Sequence, residues 1–120
     1  HWIVGDIARI ELPAAHYALW HDRAVFHFLV EPGEQARYVA SATHAVRAGG
    51  HIVIGCFAPD GPERCSGLPV TRHAAADLVK LFAPAFDPVA RSRELHRTPA
   101  GREQAFTYVV LRRRDDDVGL

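Results

Sequence analysis

The sequence predicts an α/β fold on one mostly parallel sheet, closed by an antiparallel hairpin strand at its C-terminal end. Three observations predict it. Short apolar runs alternate with helix-like segments, the order that builds a parallel sheet. The run His51-Ile52-Val53-Ile54-Gly55-Cys56-Phe57 is almost continuously apolar, as in a strand covered on both faces. Two extended segments, 86–95 and 105–111, flank a stretch holding Pro99 and Gly101 that reads as a hairpin tip.

The elements follow in order. Trp2-Ile3-Val4 is a short apolar run stopped by Gly5-Asp6 and reads as the end of a buried strand. A domain seldom opens in mid-strand, so the expectation is a fragment, or a chain whose missing neighbours come from elsewhere. A turn around Pro13-Ala14-Ala15 leads to a second buried strand, Tyr17-Ala18-Leu19-Trp20-His21. Asp22-Arg23 punctuates it, and residues 24–29 read as a short helix. Glu31-Pro32-Gly33 is a break. Residues 34–47 form the clearest helix, with Val39, Ala42, Ala45 and Val46 near helical spacing. Gly49-Gly50 is expected to end it, because glycine enters the left-handed region freely. After strand 51–57 come a Pro- and Gly-rich loop over 58–70, a helix over 73–83 and the two hairpin strands, giving about five strands in all. Residues 112–117, a basic triplet followed by an acidic one, read as a solvated tail.

Composition bounds the function. The chain has 120 residues, 48% hydrophobic and 23% charged, which suits one ordinary globular domain. Fourteen basic residues balance fourteen acidic ones, so no global charge points to nucleic acid or an anionic membrane. The basic triplet Arg112-Arg113-Arg114 is offset by the acidic residues after it. No apolar run approaches the roughly 20 residues that span a bilayer. The opening residues lack the form of a signal peptide. Two cysteines are too few for a disulfide framework, so a reducing, cytoplasmic setting is expected.

Several residues carry candidate chemistry. Asp6 closes a strand at the edge where α/β sheets bind ligands, although Gly-Asp is also ordinary turn chemistry. His21, Asp22 and Arg23 lie where a buried strand runs into a short helix; Asp22 also suits a helix cap, and His27 suits a satisfied core position. The loop PDGPERCSGLP places polar groups after the strongest strand, where loops often carry function. Cys65 and Ser66 have no adjacent base in sequence that would make either a nucleophile. The eight histidines and two cysteines show no metal-ligand spacing, so no metal is expected.

Together, Gly-Asp-Ile at 5–7, YALWHDRAVFHFL at 17–29, RAGGHIVIGCFAPDG at 47–61, PERCSGLPV at 62–70 and RELHRTPAGREQAFTYVVLRR at 93–113 resemble the C-terminal half of a class I S-adenosylmethionine-dependent methyltransferase of a bacterial small-molecule type. HDRAVFHFL and FAPDGPERCSGLP are the specific segments. The resemblance implies a partial Rossmann-like sheet over 1–113, lacking the first βα units, with a polar tail at 114–120. It implies S-adenosylmethionine as cofactor and a small-molecule methyl acceptor. Asp6 and Ile7 then fall beside the adenine. His21, Asp22 and Arg23 form the catalytic set, with His21 also facing the cofactor. Arg64, Cys65, Ser66, Gly67 and Leu68 fall on the substrate side. The family's glycine-rich turn and its ribose-binding acid are missing from these residues, and Ala18 stands where the family commonly has an acid. The chain alone is therefore expected to bind cofactor weakly or not at all and to be inactive, pairing with a missing N-terminal half or forming a homo-oligomer. The competing reading is a non-catalytic module that dimerises or binds a partner through an exposed sheet edge.

Overall fold

The computed structural model describes residues 12–23, 26–65 and 67–115. The elements are β1 (Tyr17–Arg23), a 3-10 turn (Phe26–Phe28), α1 (Pro32–Ala45), β2 (Val46–Phe57), β3 (Arg64–Cys65), β4 (Leu68–Pro69), α2 (Ala75–Phe82), β5 (Phe86–Arg97) and β6 (Glu103–Arg113). The predicted strand at 2–4 lies outside the described residues.

One four-stranded mixed sheet runs in the order β1-β2-β6-β5. β1 and β2 are parallel, and α1 is their crossover. β6 enters antiparallel between β2 and β5, so the hairpin strand is inserted rather than added at the edge. The tight tip at 98–102 makes β5 and β6 neighbours, and it is β6, through Phe106–Arg112, that pairs with His51–Phe57 of β2. Within the tip, Gly101 takes a φ of 83°, and its N–H donates to the Thr98 carbonyl at 2.8 Å.

Several boundaries differ from the sequence reading: Asp22 and Arg23 belong to β1, β5 runs on to Arg97, and the loop over 58–70 contains β3 and β4. Of the short helix expected over 24–29, the described part holds a 3-10 turn, Phe26–Phe28, shortly before Pro32 starts α1, and residues 24 and 25 lie outside the described residues. Pro32 is not a break: it occupies the first turn of α1, where its missing N–H has no partner to lose. Helix α1 ends at Ala45 and not at the glycines. Residues 47–50 instead form a bulge, where the register jumps from Tyr17↔Val46 to Leu19↔His51. Gly49 there has a φ of 79°, and a Cβ on Gly50 would lie 2.8 Å from Val46 Cγ1 and 3.0 Å from the Ala18 carbonyl oxygen. Finally, Arg112 and Arg113 belong to β6 rather than to a solvated tail. Arg113 Nε donates to the Thr43 carbonyl at 3.2 Å, and Arg114 Nε donates to Asp87 at 2.8 Å.

Both described helices pack on one face of the sheet. Tyr38 and Ala42 from α1, with Leu78 and Phe82 from α2, meet Ile52, Ile54 and Cys56 of β2 and Val109 and Leu111 of β6. Period-2 alternation therefore sends Val53, Gly55, Tyr108 and Val110 to the other face, together with their strand partners His21 and Arg23. The hairpin β5–β6 continues past the end of β2. Its pairs Leu95↔Ala105, His96↔Gln104 and Arg97↔Glu103 overhang the edge formed by the carboxyl ends of β1 and β2.

This packing predicts a contrast between two branched side chains. Ile54→Val, at a fully buried position, is expected to cost about 0.5–1.5 kcal/mol. Leu95→Ala, at a position 62% exposed, is expected to change stability by less than about 0.5 kcal/mol. Urea denaturation of the two variants checks both values.

Candidate functional site

The carboxyl edge of β1 is built around one carboxylate. Asp22 is 5% exposed, and its Oδ2 accepts from the Phe26 N–H at 3.0 Å and from the Tyr38 hydroxyl at 2.5 Å. Tyr38 in turn accepts from Trp20 Nε1 at 2.8 Å. Asp22 thus caps the 3-10 turn and also ties the end of β1 to α1. Burial, then the charge of Asp22, push the Tyr38 hydroxyl well above its ordinary pKa, so it stays protonated and keeps donating.

The residues on either side of Asp22 point the opposite way. His21 and Arg23 are exposed, on the face that α1 and α2 leave open. Arg23 Nε donates to the Tyr108 hydroxyl at 2.9 Å, and its guanidinium carbon lies 5.2 Å from the centroid of the Phe106 ring. Gly55 makes this arrangement feasible. A Cβ there would fall 2.4 Å from Tyr108 Cε1, so only glycine lets the Tyr108 ring lie across β2. The sequence signal for this contact was the lone glycine inside a strand pattern; nothing in the sequence singled out Tyr108 or Phe106.

Behind the edge, loop 58–74 is knitted to the strand ends. His27 Nδ1 accepts from the Phe57 N–H at 3.2 Å, which places the proton of the neutral ring on Nε2. That Nε2 is buried and has no hydrogen-bond partner. The His27 carbonyl accepts from the Thr71 N–H at 2.7 Å, and His73 Nε2 lies 2.8 Å from Thr71 Oγ1. Burial, then the nearby His73, push the His27 pKa down to about 4; burial also lowers that of His73. Burial pushes the Cys56 thiol up to about 12, so it is a core side chain and not a nucleophile.

The segment expected on the substrate side forms a small ladder, with Arg64 paired to Pro69 and Cys65 to Leu68. Gly67 turns it at a φ of 78°, and Arg64 Nη1 donates to the Gly67 carbonyl at 3.0 Å. The base of the loop is clamped to the hairpin by Asp60 and Arg93, a bidentate pair with both contacts at 2.6 Å. This hydrogen-bonded pairing lowers the pKa of Asp60 and raises that of Arg93. Arg64, Cys65, Gly67 and Leu68 are therefore together on one loop, while His21, Asp22 and Arg23 are together at the end of β1. Asp6, Ile7 and Ser66 lie outside the described residues. Among the described residues no cluster of histidine, cysteine and carboxylate side chains has the form of a metal site. No helix among them is long and apolar enough to cross a membrane.

No family model and no curated protein matches the chain. Solved structures do match. An S-adenosylmethionine-dependent methyltransferase from Methanosarcina mazei aligns with a TM-score of 0.74 at 9% identity, over 92% of this chain and 65% of that one. The 1,6-didemethyltoxoflavin-N1-methyltransferase of Burkholderia thailandensis, with bound 1,6-didemethyltoxoflavin and S-adenosylhomocysteine, gives 0.68 at 20% identity, over 91% and 48%. The N-methyltransferase NodS of Bradyrhizobium japonicum, with S-adenosylhomocysteine, gives 0.65 at 15% identity, over 93% and 53%. The chain thus spans between about half and two thirds of these proteins and has the α/β fold of S-adenosylmethionine-dependent methyltransferases.

Two outcomes follow from the site. His27 and His73 are neutral when folded, whereas an unfolded chain takes up protons below a pH of about 6.5. Stability is therefore full above that pH and is lost as pH falls from there towards the folded pKa of His27, about 4. The loss from His27 is on the order of 2–3 kcal/mol. Urea titrations across this range are expected to show it, and His27→Gln, which keeps an acceptor for the Phe57 N–H, is expected to flatten it. Separately, Arg93→Ala is expected to leave the melting temperature nearly unchanged, as for other exposed pairs. It should nevertheless speed amide exchange across residues 60–70, measurable by mass spectrometry.

Proposed function

We propose that these residues form the acceptor side of an S-adenosylmethionine-dependent methyltransferase acting on a small molecule in the cytoplasm. The observation that carries this reading is the strand order, a parallel pair followed by an inserted antiparallel hairpin strand, combined with a polar constellation at the carboxyl edge. Ligands of open α/β sheets bind at that edge. The bound cofactor would supply a methyl group on a sulfonium. What this chain's residues do is position the acceptor, which for methyl transfer is most of the work.

The residues fit the cofactor only in part. His21 is exposed at the end of β1, where it suits contact with the methionine portion and acceptance of a proton from the substrate. Asp22 spends its Oδ2 on Phe26 and Tyr38, so its role is to position His21 and Arg23. Asp6 and Ile7 suit the adenine side. The 120 residues carry no glycine-rich turn and no ribose-binding acid of the family type. Each hydrogen bond to a charged or buried ligand group contributes roughly 1.5–3 kcal/mol, so the lack of several weakens binding by orders of magnitude.

One specific observation favours the competing reading of a dimerising or partner-binding module. Leu19 on β1 is 59% exposed, and among the described residues β1 pairs only with β2. The opposite edge is guarded: β5 carries Pro88, Arg91, Arg93, Glu94 and Arg97, which blunt strand addition. Self-association should therefore run through β1, giving a homodimer, or β1 should receive an N-terminal half of the fold.

Calorimetric titration with S-adenosylhomocysteine separates these readings. The expected result is binding weaker than micromolar by this chain, with methyl transfer absent. Micromolar affinity would show that the described edge is sufficient by itself. A Leu19→Lys variant analysed by light scattering is expected to be monomeric where the parent chain self-associates.

A further inference from the structure

The methyltransferase reading leaves the acceptor unnamed, and the open face of the sheet narrows it. Three rows of side chains cross that face. His21, Val53 and Val110 form one; Arg23, Gly55, Tyr108 and Ser92 form the next; Phe57, Phe106 and Glu94 form the third. Phe106 and Tyr108 lie side by side with planes only 17° apart and centroids 5.8 Å apart. Phe57, the cross-strand partner of Phe106, packs edge-on to it at 5.1 Å. The result is a flat aromatic strip, and its outer surface is the half-buried Tyr108 ring.

Arg23 is laid on this strip through two contacts. Its Nε donates to Tyr108 and its guanidinium carbon lies over the Phe106 ring, while among the described residues it forms no ion pair. The residue is exposed, and among the described residues its two terminal nitrogens make no hydrogen bond, which leaves that end of the planar guanidinium available to a ligand. A guanidinium held in this way matches a planar carboxylate through two parallel hydrogen bonds. Next to it, Tyr108 offers an aromatic face, and Val53 and Val110 offer half-buried apolar floor. His21 stands two residues before Arg23 on the same strand and the same face.

We infer that Arg23, Tyr108 and Phe106 form the subsite for a planar, carboxylate-bearing methyl acceptor, with Arg23 on the carboxylate, Tyr108 against the ring and His21 at the substrate group to be methylated. This rests on the methyltransferase reading for the transfer itself but not for the binding.

The test is an NMR titration of the full chain with benzoate and with its neutral isostere benzamide, at constant ionic strength. Benzoate is expected to give saturable shifts at the Arg23 Nε–H and the Tyr108 ring, with affinity at least about tenfold above that of benzamide. Arg23→Gln is expected to abolish the preference, and Tyr108→Phe to keep ring contact while weakening benzoate a few-fold. Arg91→Gln, on exposed β5, is expected to change nothing. Equal binding of the two probes, benzoate binding that survives Arg23→Gln, or no saturable shift up to the solubility limit overturns the subsite and leaves Arg23 a brace between β1 and β6. S-adenosylhomocysteine added to the same samples keeps the two readings apart. Benzoate specificity without any cofactor response keeps the subsite and removes cofactor binding by this chain alone, and the converse sinks the subsite alone.

Discussion

The buried carboxylate of Asp22 is the contact on which the geometry of this edge depends. A carboxylate 5% exposed is tolerable only when its oxygens are hydrogen-bonded, and here a hydroxyl and a backbone N–H provide that. The bonds do more than satisfy the charge. They fix where β1 stops, how the chain turns into residues 26–28, and how α1 lies against the sheet through Tyr38. Because strand side chains alternate, burying Asp22 also forces His21 and Arg23 to the opposite face. One buried acid therefore sets the orientation of both exposed polar residues.

The rest of the edge follows from similar local constraints. Gly55 has no Cβ, so Tyr108 can cross β2 and meet Arg23. Loop 58–74 is held at both ends, by Asp60 on Arg93 and by Thr71 and His73 against His27 and Phe57. A loop anchored in this way presents its ladder, Arg64–Cys65 against Leu68–Pro69, with little freedom at its base. The unpartnered Nε2 of His27 is the one buried side-chain donor among the described residues that the fold leaves without an acceptor.

Much of this was legible in the sequence because the elements are strongly patterned. The apolar run at 51–57 and the hairpin around Pro99 and Gly101 specified the central strand and the antiparallel pair, whereas the entry of β6 between β2 and β5 has no signature in those segments. Helix ends were less legible. Gly49 and Gly50 are ordinary cap residues, but here they turn a bulge inside β2, which depends on the pairing of Tyr17 with Val46. Pro32 looked like a break and is a helix start, since both uses require the same fixed φ. Of the site, His21, Asp22 and Arg23 could be named because they interrupt an apolar run. Their division into one buried and two exposed residues could not, as it depends on Tyr38, sixteen positions beyond Asp22. The Arg23–Tyr108 contact joins residues 85 apart and has no local signature.

On the proposed function, the carboxyl ends of β1 and β2 are where this fold meets its ligand. Mapping amide shifts on a labelled sample during titration with millimolar S-adenosylhomocysteine tests that most directly. The account predicts that the perturbed residues cluster at 20–23 and 57–58, even though binding is weak. Shifts confined to the amino ends of the strands or to the outer faces of α1 and α2, or no shift at the solubility limit, would contradict it.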